Sequence, residues 1–260
     1  MICVGIASIH ATQSGFKFTT ANVIYRLMSK TKNFYPDSSF GDWFIQSNIW
    51  AKYVLRRSIK DLRVIYSSFK TTSSPVVLDV GCGYGSSFRY LIRFFKPKRI
   101  YAIDLDPSAI LIAKERASWL GTPIEVLLGD CSNLPYESSS MDLIFCHQTL
   151  HHLTDQTSAL QEFRRVLKND GILVLAESTK VFIESLAIDI LFKHPPESQR
   201  YSYEYLDLIE KSGFERSAKS LQYPSFWWTK LHFRNLLPKK KNGQNGFEPL
   251  VYLVANVKKA

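Results

Sequence analysis

Residues Val76–Ser87 read VVLDVGCGYGSS, and the order of residue types there decides the fold. Val76–Val80 is apolar except for Asp79, the pattern of a strand covered on both faces, which has no wet side on which polar residues would alternate. Glycines follow at 81, 83 and 85. Glycine reaches backbone angles closed to other residues and lets a ligand come close to the main chain. The helical pattern SSFRYLIRFFK comes next, and a strand, a glycine turn and a helix together form the unit at which a doubly wound sheet receives a ligand.

Working outward, the same alternation continues. RIYAIDL (Arg99–Leu105), IEVLLG (Ile124–Gly129), DLIFCH (Asp142–His147) and GILVLAE (Gly171–Glu177) read as strands. Between them lie PSAILIAKERASWL, with Pro107 opening a helix, and DQTSALQEFRRVLK, with Asp155 as N-cap. Beyond Glu177, Tyr203–Phe214 reads as a helix stopped by Gly213, Glu215–Tyr223 as a strand and Pro249–Val257 as a last strand pairing antiparallel. The class is α/β: a doubly wound, seven-stranded, mostly parallel sheet with an antiparallel last strand and helices on both faces. Residues 42–70 carry Trp43, Trp50, Tyr53, Val54, Leu62, Ile65 and Tyr66 at spacings near three and four, an amphipathic helical cap. The expected division is an extension, disordered or packed, over 1–41, the helical cap over 42–70 and the sheet domain over 71–260. Insertions near 178–202 and 224–246 would cover the substrate.

At 260 residues and 45% hydrophobic, the chain can bury a full core. No apolar run is long enough to span a membrane. MICVGIASIHATQSGF lacks the basic start of a secretory signal; residues 1–36 carry bases and no acid, a faint likeness to a transit segment, and Met28 is an alternative start. Cys3, Cys82, Cys131 and Cys146 show no metal-binding spacing and fit a reducing, cytoplasmic compartment. The net charge of +10, gathered partly in KPKR, RRSIKDLR and PKKK, reads as a solvated face or as an excess that steers anionic substrates, nucleic acid or acidic membrane surfaces.

The glycine spacing narrows the ligand. A dinucleotide turn reads G-x-G-x-x-G and would put its third glycine at Ser86, whereas here the pattern is G-x-G-x-G. Asp79 precedes the turn, where it could face an ammonium group but would sit badly beside a pyrophosphate. Asp130 and Cys131 close the third strand, a carboxylate acceptor and a backbone N–H suited to an adenine edge.

LDVGCGYG, YAIDLDPSAI (Tyr101–Ile110), GDCSNLPYESSSMDLIFCHQTLHHL (Gly129–Leu153) and EFRRVLKNDGILVLAE (Glu162–Glu177) occur in order. In these motifs the chain resembles the class I S-adenosylmethionine-dependent methyltransferases, particularly the small-molecule branch that includes ubiquinone and menaquinone C-methyltransferases. The resemblance implies a methyltransferase domain over 71–260, with S-adenosylmethionine as cofactor and S-adenosylhomocysteine as product. It implies that Asp79 with the turn residues Gly81, Cys82, Gly83 and Gly85 cradles the methionine part, and that Asp104 takes both ribose hydroxyls. Leu105 would pack on the adenine, Asp130 would accept its amine, the Cys131 N–H would reach a ring nitrogen, and His147 would lie beside the methionine part. KNDG (Lys168–Gly171) departs from the family's Lys-Pro-Gly-Gly, at a turn remote from the cofactor.

Methyl transfer from a sulfonium needs positioning more than acid–base help, and a base only when the acceptor holds a proton. His151 and His152 are the candidates for that base, with His194 and His232 as alternatives. HQTLHHL superficially copies a zinc-protease helix, but Gln148 replaces the glutamate and the segment begins at a strand end, so no metal is expected. YPSFWW (Tyr223–Trp228), Trp43 and Trp50 supply aromatic area for an apolar or planar small molecule. The rivals are an RNA or other macromolecular methyltransferase, suggested by the charge but lacking an Asn/Asp-Pro-Pro-aromatic signature; a nicotinamide oxidoreductase; and a homologue that binds the cofactor without turnover.

Overall fold

The computed structural model describes residues 38–69, 72–226 and 248–258. Its centre is a mixed sheet of β1 (Val76–Val80), β2 (Arg99–Asp104), β3 (Ile124–Leu128), β4 (Met141–His147), β5 (Leu167–Ser178), β6 (Phe214–Glu215), β7 (Leu221–Gln222) and β8 (Leu250–Val257). The order is β3-β2-β1-β4-β5-β8-β6, with β7 also on β8. β1 to β5 run parallel, and β8 pairs antiparallel with β5, from Ile172 opposite Asn256 to Ser178 opposite Leu250. The doubly wound class and the antiparallel last strand are as expected.

Three details differ from the sequence reading. The strand expected over Glu215–Tyr223 is split into β6 and β7 by a 3-10 turn at Ala218–Ser220, so the described residues hold eight strands. β5 begins at Leu167, ahead of Gly171, because Leu167 already pairs with Met141 across an irregularity in the ladder. The cap begins at Ser39 and is not one helix. α1 (Ser39–Gln46) ends at Ser47, whose backbone is extended, and the chain resumes as a π-helical turn (Trp50–Leu55) running into α2 (Arg56–Tyr66).

The remaining helices are α3 (Phe88–Phe95), α4 (Pro107–Ser118), α5 (Gln156–Val166), the short α6 (Lys180–Ile183) and α7 (Leu186–Leu191), and α8 (Ser202–Lys211). Their starts follow local chemistry. The Asp106 side chain accepts the Ser108 N–H ahead of Pro107, and Asp155 accepts the Ser158 N–H. Each such cap satisfies a helix-end donor that has no partner within the helix.

Alternate residues of each strand feed two cores, as the two-residue period of a strand requires. Leu78, Ile144, Leu173 and Leu175 pack with Leu160, Phe163 and Tyr205 on one face. Val77, Phe145, Val174 and Tyr252 pack with Ile59, Leu62 and Leu91 on the other. With both faces covered, the carboxyl ends of β1, β2 and β4 are left facing one open edge. The strand order reverses between β1 and β4, the place at which such sheets bind ligands.

Candidate active site

A cavity of about 890 Å³ opens at that edge. Its floor is the glycine turn, where Gly81, Gly83 and Gly85 all have positive φ (66°, 49° and 72°). The three glycines serve different ends. A Cβ on Gly81 would stand 2.2 Å from Thr149 Oγ1, and one on Gly85 would stand 2.5 Å from the Phe88 ring, so these two let the fold close. A Cβ on Gly83 would meet nothing within 4 Å, and Gly83 lines the cavity. That bare backbone is held open for something other than the protein. The turn is anchored from beneath, where the Gly81 and Cys82 N–H groups donate to the Ile103 carbonyl. From the side, the Arg116 guanidinium donates to the Tyr84 carbonyl at 2.9 Å and Ser86 Oγ at 2.7 Å.

Two carboxylates flank the turn. Asp79, 2% exposed, accepts from Ser87 Oγ and lines the cavity. Burial raises its pKa to about 7, against the opposing effect of the Ser87 hydrogen bond. Asp104 closes β2; its Oδ2 accepts the Gly83 N–H at 2.7 Å and its Oδ1 the Asp106 N–H at 2.9 Å. Burial pushes its pKa up as well. Each carboxylate oxygen keeps a further lone pair for a ligand hydroxyl.

Leu105 and Cys131 line the cavity, as does His147 at the end of β4. His147 lies under the edge of Trp50, ring centroids 5.8 Å apart, and burial drops its pKa to about 3, so it is a neutral imidazole. Its Nε2 is buried and finds no hydrogen-bond partner. Asp130 is not among the lining residues; its Oδ1 accepts from the Ser132 N–H and Oγ, while its neighbours Gly129 and Cys131 form the wall.

One functional residue escaped the sequence reading. Glu177, 0% exposed at the end of β5, accepts the Thr149 and Leu150 N–H groups on Oε1 at 2.9 and 2.8 Å and faces His151 Nδ1 from Oε2 at 2.7 Å. This single carboxylate shapes the loop after β4 and fixes the orientation of the His151 ring. His152 and His194 stand beside His151, ring centroids 4.2 and 5.2 Å away. Burial and the nearby His151 hold the His152 pKa well below its ordinary value and that of His194 at about 3. In sequence Glu177 looks like one more strand-end acid, and only the fold sets it against His151.

The far half of the cavity is apolar, built from the cap and the first insertion: Phe40, Phe44, Trp50, Phe182, Ile188 and Phe192. The Phe192 ring meets Phe40 and Phe44 edge-on at 5.7 and 5.9 Å, closing α1 against the segment after α7. Trp43, expected among the pocket aromatics, is 58% exposed and does not line the cavity, whereas Trp50 does. Trp227, Trp228, His232 and nearly all of the second insertion lie outside the described residues.

Residues 78–175, which contain every one of these strand ends except that of β5, match the family model described as a methyltransferase domain. They form a methyltransferase domain. The domain is 34% identical over 100 residues to malonyl-acyl-carrier-protein O-methyltransferase of Halorhodospira halophila, covering 38% of this chain and 34% of that protein. It is 33% identical over 101 residues to phosphoethanolamine N-methyltransferase 1 of Arabidopsis thaliana, covering 39% of this chain and 20% of that one. The chain thus spans about a third and a fifth of the length of these relatives. Among solved structures, an S-adenosylmethionine-dependent methyltransferase from Aquifex aeolicus superposes with a TM-score of 0.58 at 22% identity, covering 84% of this chain and 97% of its own. The cyclase SpnF superposes with the same TM-score, 0.58, at 18% identity, over 78% of this chain and 81% of its own.

The residues present fit S-adenosylmethionine. Gly83 leaves room at the main chain, Asp79 is a buried carboxyl that a cation would ionise, and Asp104 is aimed from the end of β2.

Proposed function

We propose that the chain transfers a methyl group from S-adenosylmethionine to an apolar small-molecule acceptor held between the sheet edge and the cap. The observation carrying this reading is that one continuous cavity joins the Gly83–Asp79–Asp104 floor to a chamber walled by Phe44, Trp50, Phe182 and Phe192. An apolar chamber with few polar groups selects its ligand by shape and by desolvation. The relatives are named as O- and N-methyltransferases, so the acceptor class rests on the lining and not on them.

When bound, S-adenosylmethionine supplies a methyl carbon already activated by a positive sulfur. The protein's part is to align and to exclude water. Asp79 and the turn hold the methionine end, Asp104 the ribose, Leu105 and the Cys131 N–H the adenine, while neutral His147 lines the methionine end without adding charge. For an acceptor bearing a proton, His151 is the base. Its Nδ1–H donates to Glu177, which leaves Nε2 with its lone pair. His152 is the weaker candidate, because burial disfavours its protonated form.

The test is calorimetry with S-adenosylmethionine, followed by a screen of metabolite extracts with isotopically labelled donor. The reading expects binding that Asp104→Ala weakens by about tenfold or more, the worth of one charge-assisted hydrogen bond, and label recovered in an apolar product. Absence of binding would sink the enzyme reading. Label recovered only in RNA would sink the acceptor class, and binding without any labelled product would favour a non-catalytic homologue.

A further inference from the structure

We infer that His151, His152 and His194 form a site for a divalent transition-metal ion of the zinc type in the wall of the cavity. Each offers one ring nitrogen, and these atoms lie within 4.8 Å of one another. His151 and His152 come from the 3-10 turn Leu150–His152 after β4, and His194 from the segment after α7.

Two observations beyond proximity point to a ligand. His194 Nδ1 is buried and makes no hydrogen bond, a costly state for a polar atom with nothing to bind. His151 already has its Nδ1 on Glu177, leaving Nε2 as donor to a metal. That is the carboxylate–histidine–metal arrangement, in which the second nitrogen's partner fixes the ring and raises its basicity. The two contributing segments are also tied together. The His151 carbonyl accepts from Ser198 Oγ at 2.6 Å and Gln199 Nε2 at 3.0 Å, so the loop carrying His194 is fastened to the backbone of His151.

Three imidazoles with no carboxylate oxygen among them suit zinc, cobalt, nickel or copper rather than calcium or magnesium. Tetrahedral ligation at zinc–nitrogen distances near 2 Å puts nitrogens roughly 3.3 Å apart. The present separations, within 4.8 Å, are wider than that spacing allows, so a bound metal would draw the rings together. Three protein ligands leave the fourth position open, as in catalytic rather than structural sites. The cavity carries all three histidines on its wall, so that position faces the acceptor chamber. With a metal bound, the His151 Nε2 lone pair is engaged, so His151 acts as the base of the proposed reaction only in the metal-free chain.

The experiment titrates the full chain, stripped with a chelator, with cobalt(II) and reads the visible absorption of four-coordinate cobalt. One equivalent should develop the band, and zinc should bleach it. His194→Ala should lose the band while still binding S-adenosylmethionine, which reports its folding. Glu177→Gln should weaken cobalt roughly 10- to 100-fold. A double variant, His10→Ala with His232→Ala, should keep the band in full. Should His194→Ala not fold, His194→Gln and His152→Ala replace it. No band, an unchanged band in folded His194 or His152 variants, or a band lost in the double variant would each overturn the assignment. Cofactor binding is measured separately, so failure here leaves the methyl-donor site standing.

Discussion

With Asp79 at the ammonium end of the cofactor, as proposed, the affinity for S-adenosylmethionine should depend on pH in a way that can be worked out beforehand. Its carboxyl ionises near pH 3.8 in an unfolded chain and at about 7 in the folded one, because burial penalises the anion. Folded protein therefore holds this proton more tightly than unfolded protein. The contribution to stability is complete below pH 4 and declines as pH rises to 7, by about 4 kcal/mol at 1.36 kcal/mol per unit. A bound ammonium group reverses the balance, since it favours the anion that burial disfavours. Affinity for the cofactor should then follow the ionised fraction of Asp79: about one half at pH 7 and about one tenth at pH 6, a fall of roughly tenfold per unit below 7. Above about pH 8 the cofactor's own amino group loses its proton and affinity falls again. Calorimetry from pH 5.5 to 8.5 on the parent and on Asp79→Asn reads this directly. The variant should lack the acid limb and bind roughly 10- to 100-fold more weakly at the optimum, the worth of a hydrogen bond to a charged group. A parent profile flat below pH 7.5, or an acid limb that survives in Asp79→Asn, would refute the assignment of Asp79 to the ammonium end.

The glycines separate folding from binding. Gly83→Ala should cost about 1 kcal/mol for its left-handed backbone, a loss of about 2–4 °C in Tm, yet abolish measurable cofactor binding. Gly81→Ala, with its Cβ 2.2 Å from Thr149 Oγ1, should lower Tm far more; equal losses in thermal unfolding would contradict the division. Glu177→Gln should reduce kcat by about tenfold or more with cofactor affinity unchanged, since it frees the His151 ring without touching the floor of the cavity. Unaltered turnover would remove Glu177 and His151 from the proton path.

The central sheet was legible because β1, β2, β4 and β5, buried on both faces, must be written in continuous apolar residues, and because Asp106–Pro107 and Asp155 punctuate helix starts. The strand ends Asp104 and His147 were legible for the same reason, since their place follows from where an apolar run stops, and Asp79 from being the one acid in a run that leads into the glycine turn. What depended on contacts between distant segments was not. Glu177 carries no local sign of the three loop residues it holds, and His194 reaches His151 only because the first insertion folds back through Ser198 and Gln199. The cap reads as one helix in sequence because the spacing of its aromatic residues carries no sign of the extended backbone at Ser47 or of the π-helical turn at Trp50–Leu55. Trp43 and Trp50 illustrate the result: both are aromatic at plausible spacing, and only Trp50 turns inward to His147.

The Asp104 carboxylate, tied to the Gly83 and Asp106 N–H groups, couples two selective pressures on one side chain. Because those bonds brace the glycine turn even without a ligand, a descendant that had abandoned methyl transfer would still be penalised in stability for losing this acid. Gly83, where a side chain would meet nothing and cost only about 1 kcal/mol of backbone strain, would drift first. Between the two positions, it is glycine at 83 that records whether a cofactor is still being bound.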